Sequence, residues 1–233
     1  MLKLYKTICT WDFMRSKKNT GWVTDIILID IINFSHLTST QQLEIISFLS
    51  KSYAKMIKTM LAKSSMTIDK LILGYISTGD GFYCILNPRL KGYGTILGLS
   101  FNHFSDQIAK IFPYFEGIKV AVHTGEIYQF KDILGHTNYI GDGLNDCSRY
   151  LEIKDYTSST VMVSDQAYKQ FEKFLDMYTV YNDILIEREF KFTNPYDFKD
   201  KHGFAKSGRM VWLRKSGIIN PPNININSVM KGI

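Results

Sequence analysis

Apolar residues follow two rhythms along the chain. The run Ile26-Ile27-Leu28-Ile29 is apolar on both faces, the pattern of a strand covered on both sides, and it predicts a central strand from Trp22 to Asp30. Ile46, Leu49, Tyr53, Met56 or Ile57, and Met60 then recur at helical spacing. Ser39 with Gln42 three residues later matches a capping box, so a helix is expected from there to about Lys63. Leu71–Ser77 and Phe82–Leu86 are short apolar runs around Thr78-Gly79-Asp80-Gly81, a β-hairpin signal. Leu97, Phe101, Phe104, Ile108 and Ile111 share one face of a second helix that stops before Pro113. Ile118–Thr124 is the next strand.

Strand, helix, hairpin, helix, strand is the ferredoxin-like split βαββαβ order. The fold class expected is α+β, an antiparallel sheet with helices packed on it. Beyond it, Leu144, Cys147 and Leu151 mark a third helix, Val161–Val163 a short strand and Gln166–Phe174 a short helix. Tyr178–Tyr181, Glu187–Phe192 and Met210–Leu213 are strand candidates. The division expected is an extension over residues 1–20, one folded domain over 21–215, and a tail over 216–233 rich in Asn and Ile.

Composition narrows the function classes. Hydrophobic residues make up 45% and aromatic residues 14% of the 233, a globular profile. The net charge of +6 is scattered, with Arg15-Ser16-Lys17-Lys18 and Arg214-Lys215 the nearest approach to a basic run, so neither nucleic acid nor a membrane surface is the expected partner. Three cysteines without a C-x-x-C pair argue against a zinc site or a disulfide framework. No apolar run approaches the ~18 residues of a membrane span, and no signal-peptide pattern is present. A soluble, cytoplasmic protein is expected.

Asp30 ends the central strand and Asp80 sits at the hairpin tip. In a split βαββαβ sheet those two ends lie side by side. Adjacent carboxylates repel unless a cation or a proton joins them, and hard oxygen ligands suit Mg²⁺ or Mn²⁺. Two such ions can clamp the attacking and leaving oxygens of an in-line phosphoryl transfer. Asn145 and Arg149, four apart, share a helix face, and an Arg fork suits phosphate oxygens. Each alone reads as an ordinary turn, cap or solvated residue; the set is what carries weight. Phe34, Tyr75 and Tyr83 read by type as core residues.

These residues resemble the class III adenylyl and guanylyl cyclases. Leu28–Phe34 (LIDIINF) resembles the first strand of that family, and Thr78–Leu86 (TGDGFYCIL) its metal-binding hairpin. Val120–Glu126 (VAVHTGE) is similar to the strand before a loop, and Tyr139–Tyr150 (YIGDGLNDCSRY) to the helix with a ribose-orienting Asn and a transition-state Arg. The likeness runs from Trp22 to Leu213. It implies two divalent cations, Mn²⁺ or Mg²⁺, held by Asp30, Asp80 and the carbonyl of Ile31. It implies a nucleoside triphosphate whose ribose meets Asn145 and whose α-phosphoryl group meets Arg149, with Phe34 also at the substrate. It implies a homodimer with two shared sites. The family's late phosphate-binding Lys falls on Lys206, or on Arg209 in the neighbouring register.

The family's purine-reading positions fall on Ile76 and Asn138, and the adenine-type pair is absent. A small cyclase with altered base-reading positions resembles the pyrimidine cyclases of the Pycsar anti-phage systems, which make cyclic UMP or cyclic CMP for a separate effector. UTP is the substrate expected, with CTP, ATP or GTP as alternatives. Competing classes are a polymerase-palm or diguanylate-cyclase enzyme, a non-catalytic cyclase-like binding module, and a basic nucleic-acid-binding domain. The first has a GGDEF-type hairpin that is lacking here, and the second usually loses a metal Asp or the Arg, whereas Asp30, Asp80, Asn145 and Arg149 are all present.

Overall fold

The apolar strand β1 (Trp22–Ile31) lies inside a sheet of ten strands among the described residues, between β3 (Gly81–Leu86) and β4 (Ile118–Lys131). The computed structural model describes residues 21–62, 66–152, 160–182, 190–200, 202–215 and 218–219. Strand β2 (Ile72–Ser77) closes one edge beyond β3. On the other side come β6 (Thr160–Ser164), β9 (Ala205–Lys215) and β10 (Ile218–Ile219). Strand β5 (Thr137–Ile140) pairs with β4, and β7 (Phe190–Phe192) and β8 (Tyr196–Lys199) both pair with β9. The order β4-β1-β3-β2 is the split βαββαβ core that the pattern predicts. The sheet is mixed rather than antiparallel throughout, because β4 and β6 run parallel.

Alternation along β1 explains its unbroken apolar run. Ile27, Ile29 and Ile31 are buried under α1 (Ser39–Leu61) and α3 (Tyr93–Ile108), which follows the short α2 (Ile68–Leu71). Ile26 and Leu28 are buried on the opposite face, under α4 (Asp142–Arg149). Each such side chain contributes ~1.5–3 kcal/mol by leaving water.

Helix α1 starts one residue earlier than expected. Two overlapping sequences, Thr38-x-x-Gln41 and Ser39-x-x-Gln42, match the capping box, and the first is used. Thr38 Oγ1 accepts from the Gln41 backbone N–H at 3.4 Å, and Gln41 Oε1 accepts from the Thr38 N–H at 3.0 Å. Gln42 instead donates to the carbonyls of Phe34 and Leu37. The buried stripe is accordingly Ile45, Leu49, Tyr53, Ile57 and Leu61, with Met60 exposed. In α3 the buried face ends at Ile108, and Ile111 is exposed beyond the helix.

The C-terminal half departs further from expectation. Helix α5 (Asp165–Asn182) is one continuous helix that absorbs the proposed strand at Tyr178–Tyr181. Strand β9 is longer than Met210–Leu213, and of Glu187–Phe192 only the last three residues are described. The extension over residues 1–20, Lys63, and most of the tail lie outside the described residues. Among the described residues no helix is long and apolar enough to cross a membrane.

Candidate active site

The first cluster sits where β1 leaves the sheet. Asp30 pairs with Gly81, and the Ile31 N–H donates to the Asp80 carbonyl at 2.8 Å. This approach requires glycine at 81: a Cβ there would stand 1.9 Å from the Ile29 carbonyl oxygen. Asp80 is thus drawn directly beside Asp30. Thr78 Oγ1 donates to Asp80 Oδ1 at 3.2 Å. Burial, and then the Asp80 charge, push the Asp30 carboxyl up to about 6; Lys119, opposite it on β4, partly offsets them. The pair therefore lacks one positive charge.

That deficit fits a cation. No group of three or more His, Cys, Asp or Glu residues able to hold a metal occurs among the described residues. Two carboxylates are nonetheless a natural partial set for Mg²⁺ or Mn²⁺, which complete their shells with water and phosphate oxygens. The Ile31 side chain is buried, so only its backbone is available there. Phe34 is also buried, its ring packed into the core against the sheet and α1.

The second cluster lies farther along the sheet, on the face that α4 covers. Helix α4 starts at Gly141, whose φ of 149° and closeness to the Glu126 carbonyl suit only glycine. Leu144 and Cys147 face the sheet, whereas Asn145 is exposed and Arg149 half-buried. Arg149 Nη1 donates to Asp146 Oδ1 at 2.6 Å, and its Nε lies 3.0 Å from Asp200 Oδ2. The Phe204 ring stands 5.7 Å from the guanidinium carbon. Lys206 Nζ approaches the same Asp146 Oδ1, at 2.8 Å. The structure thus brings Lys206 to Arg149. Arg209 points elsewhere, stacked over Tyr168 at 4.3 Å beside Asp165.

Sequence reasoning missed Asp146 and Asp200. The Asp200 side chain has no exposed surface. Its Oδ1 accepts the backbone N–H groups of His202 at 2.9 Å and Phe204 at 3.0 Å. Burial pushes the Asp200 carboxyl up, but those two N–H groups and the Arg149 charge outweigh it and hold it below the usual range. Beneath Asp146 lies buried His123, whose Nδ1 meets Ser164 Oγ at 2.9 Å. Burial pulls its pKa down to about 4, with Asp146 opposing and Lys206 assisting.

His123 gives a signed prediction. The folded protein keeps the ring neutral, while the unfolded chain protonates near pH 6.5. Stability is full above that value and is lost as pH falls toward 4, by about 3 kcal/mol at most. Urea unfolding at pH 7 and pH 4.5 checks this: His123→Gln should lose less on acidification than the parent. Equal losses would show that His123 is not the acid-sensitive group.

Ile76 and Asn138 occupy adjoining strands. β5 meets β2 through Tyr139, whose hydroxyl donates to the Leu73 carbonyl at 2.5 Å and whose ring fills the space over Gly74. Ile76 is half-buried and packs into the cluster containing Tyr83. Asn138 Oδ1 accepts the Tyr139 N–H at 2.8 Å.

Within one chain the two clusters are far apart. Gly208 is level with Ser164 on β6, and Ile26 with His123 on β4. Lys206 therefore falls level with Thr24, six residues from Asp30 along the strands and three strand spacings across. At ~3.3 Å per residue and ~4.8 Å per strand this is roughly 24 Å, much longer than a triphosphate.

The fold has counterparts among solved structures. The guanylate cyclase domain of RhGC from Catenaria anguillulae, in complex with GTP, superposes with a TM-score of 0.54 and 17% identity over 84% of this chain and all of that one. The catalytic core of a rhodopsin-guanylyl cyclase with converted specificity, in complex with ATPαS, gives 0.56 and 16% over 84% and 98%. An adenylate/guanylate cyclase/hydrolase from Silicibacter pomeroyi gives 0.52 and 16% over 84% and 99%. The fold is that of a nucleotide cyclase catalytic domain. No protein-family profile matches the sequence, and no curated protein matches it. Asp30, Asp80, Asp146 and Arg149 lie in the segments that carry the resemblance in sequence, whereas Asp200, Phe204 and Lys206 lie outside them.

Proposed function

We propose that this protein is a nucleotide cyclase that converts a pyrimidine nucleoside triphosphate, UTP before CTP, to its 3′,5′-cyclic monophosphate and pyrophosphate. The observation that carries the reading is the abutting Asp30–Asp80 pair in a chain that also gathers Arg149 and Lys206. Asp30 and Asp80, with the Ile31 carbonyl, would hold two divalent cations, Mn²⁺ or Mg²⁺. Bound there, these supply Lewis acidity toward the 3′-hydroxyl and neutralise phosphate charge. Asn145 would orient the ribose. Arg149 would stabilise the charge that develops on the α-phosphoryl group, and Lys206 would hold the terminal phosphates.

The distance between the clusters supports sites shared across a homodimer, each chain lending its carboxylates to the other's Arg149. The β4–β5 hairpin offers an apolar surface for a second copy: Ile133, Leu134 and Ile140 are exposed at 101%, 73% and 60%. Asn138 supports a pyrimidine base. Its amide nitrogen can donate to the O4 acceptor of uracil, and its oxygen, which accepts the Tyr139 N–H, keeps a second lone pair that could take the amino group of cytosine. Ile76 offers no polar group to a purine. The product would serve as a second messenger in anti-phage defence, read by a separate effector; the likeness to Pycsar cyclases supports this part.

The test is incubation with each of the four triphosphates and Mn²⁺, with products identified by mass spectrometry beside an Asp80→Ala control. Cyclic UMP, absent from the control, is expected. Cyclic AMP or GMP alone would overturn the pyrimidine reading, and no cyclic product would favour a nucleotide-binding module.

A further inference from the structure

Lys206 and Arg149 converge on one oxygen atom. Asp146 Oδ1 stands 2.6 Å from Arg149 Nη1 and 2.8 Å from Lys206 Nζ, the place and distances a phosphate oxygen would take between two cations. Arg149 cannot simply swing away to make room. Asp200, itself buried and held by two backbone N–H groups, lies at its Nε, and Phe204 covers its face. Asp146 is the more movable member, on a helix surface with about a quarter of its side chain exposed.

We infer that Asp146 occupies the anion seat between Arg149 and Lys206 and competes with the polyphosphate for it, setting the affinity of the site. Two carboxylates and two cations cancel while Asp146 is in place. Once it turns out toward water, Arg149 and Lys206 outweigh Asp200 by one positive charge, and the seat attracts phosphate. The same competition acts on the product: Asp146 returning to the seat helps expel pyrophosphate. Asp146 thus limits how tightly phosphate is held, which keeps the site from being blocked by its own product. The inference rests on reading Arg149 and Lys206 as the phosphate-holding pair.

The experiment measures binding of inorganic pyrophosphate and tripolyphosphate by calorimetry, without divalent metal, to the full chain and to Asp146→Asn. Asp142→Asn, on an exposed position one turn earlier on the same helix, is the control for the added net charge. Asp146→Asn should bind both ions about tenfold more tightly or better, and Asp142→Asn less than about threefold. Asp146→Ala should repeat the gain, and thermal melting checks that each variant is folded. Binding that is unchanged, weaker, or matched by the control overturns the inference and makes Asp146 a positioning group for Arg149. The outcome is separable from the cyclase reading: a chain that makes no cyclic nucleotide yet shows the Asp146-specific gain keeps the competing carboxylate and loses the cyclase.

Discussion

Replacing Asp80 by Ala should lower cyclic-nucleotide formation by about three orders of magnitude while leaving the protein folded. The carboxylate sits at an exposed hairpin tip, where the side chain contributes little packing. What it contributes is charge beside Asp30, and half of the only carboxylate pair proposed to hold the cations. Loss of a single preorganised transition-state donor costs ~10²–10³ in rate, and loss of an anchor for the metals should cost at least as much. The fold should tolerate the change, because it removes the repulsion that helps push Asp30 up to about 6. Product formation with Mn²⁺ and a thermal melt on the same preparation give both numbers. A variant retaining more than about a tenth of the activity would show that Asp80 does not hold a catalytic cation.

A mixture of two dead variants should regain activity. Asp80→Ala damages the carboxylate half and Arg149→Ala the phosphate half, and the halves lie roughly 24 Å apart within a chain by strand geometry. If each site draws one half from each chain, a mixed dimer holds one intact site and one doubly damaged site. Equal mixing makes half the dimers mixed, so about a quarter of parental activity should return. Each variant alone should stay near zero. The assay is product formation after co-expression or unfolding and refolding together. A mixture as inactive as its components, with both shown to be dimeric, would place a whole site within one chain.

The core of the fold was legible because both of its signals are strong and local. The Ile26–Ile29 run reads as a strand covered on both faces, and helices do cover both: α1 and α3 on one, α4 on the other. The Asp30–Asp80 pair was legible through topology, since the split order sets the end of β1 against the hairpin. The parallel pairing of β4 with β6 was not, because strand periodicity carries no direction. Tyr178–Tyr181 read as a strand from its aromatic and β-branched residues, but the segment continues a helix begun at Asp165; local propensity is a weak prior beside such continuity. Asp146 reads as one more polar residue of α4, and Asp200 as a turn residue. Their meaning comes from β8 and β9 folding back over α4, a long-range contact with no trace in either segment alone. Lys206 and Arg209, three apart on β9, could be told apart only once the strand's two faces had different neighbours.

The order of the strands also sets the order in which the protein matures. β1 meets β3 through residues up to Leu86, so the carboxylate pair can form once the first third or so of the chain has emerged from the ribosome. Its other neighbour, β4, arrives with Ile118–Ile127, and these distant pairings favour slow folding, on the order of milliseconds to seconds. Lys206 lies on β9, which can dock only after β6 is in place. A nascent chain therefore carries the carboxylate half of the proposed site long before the Arg149–Lys206 half is complete.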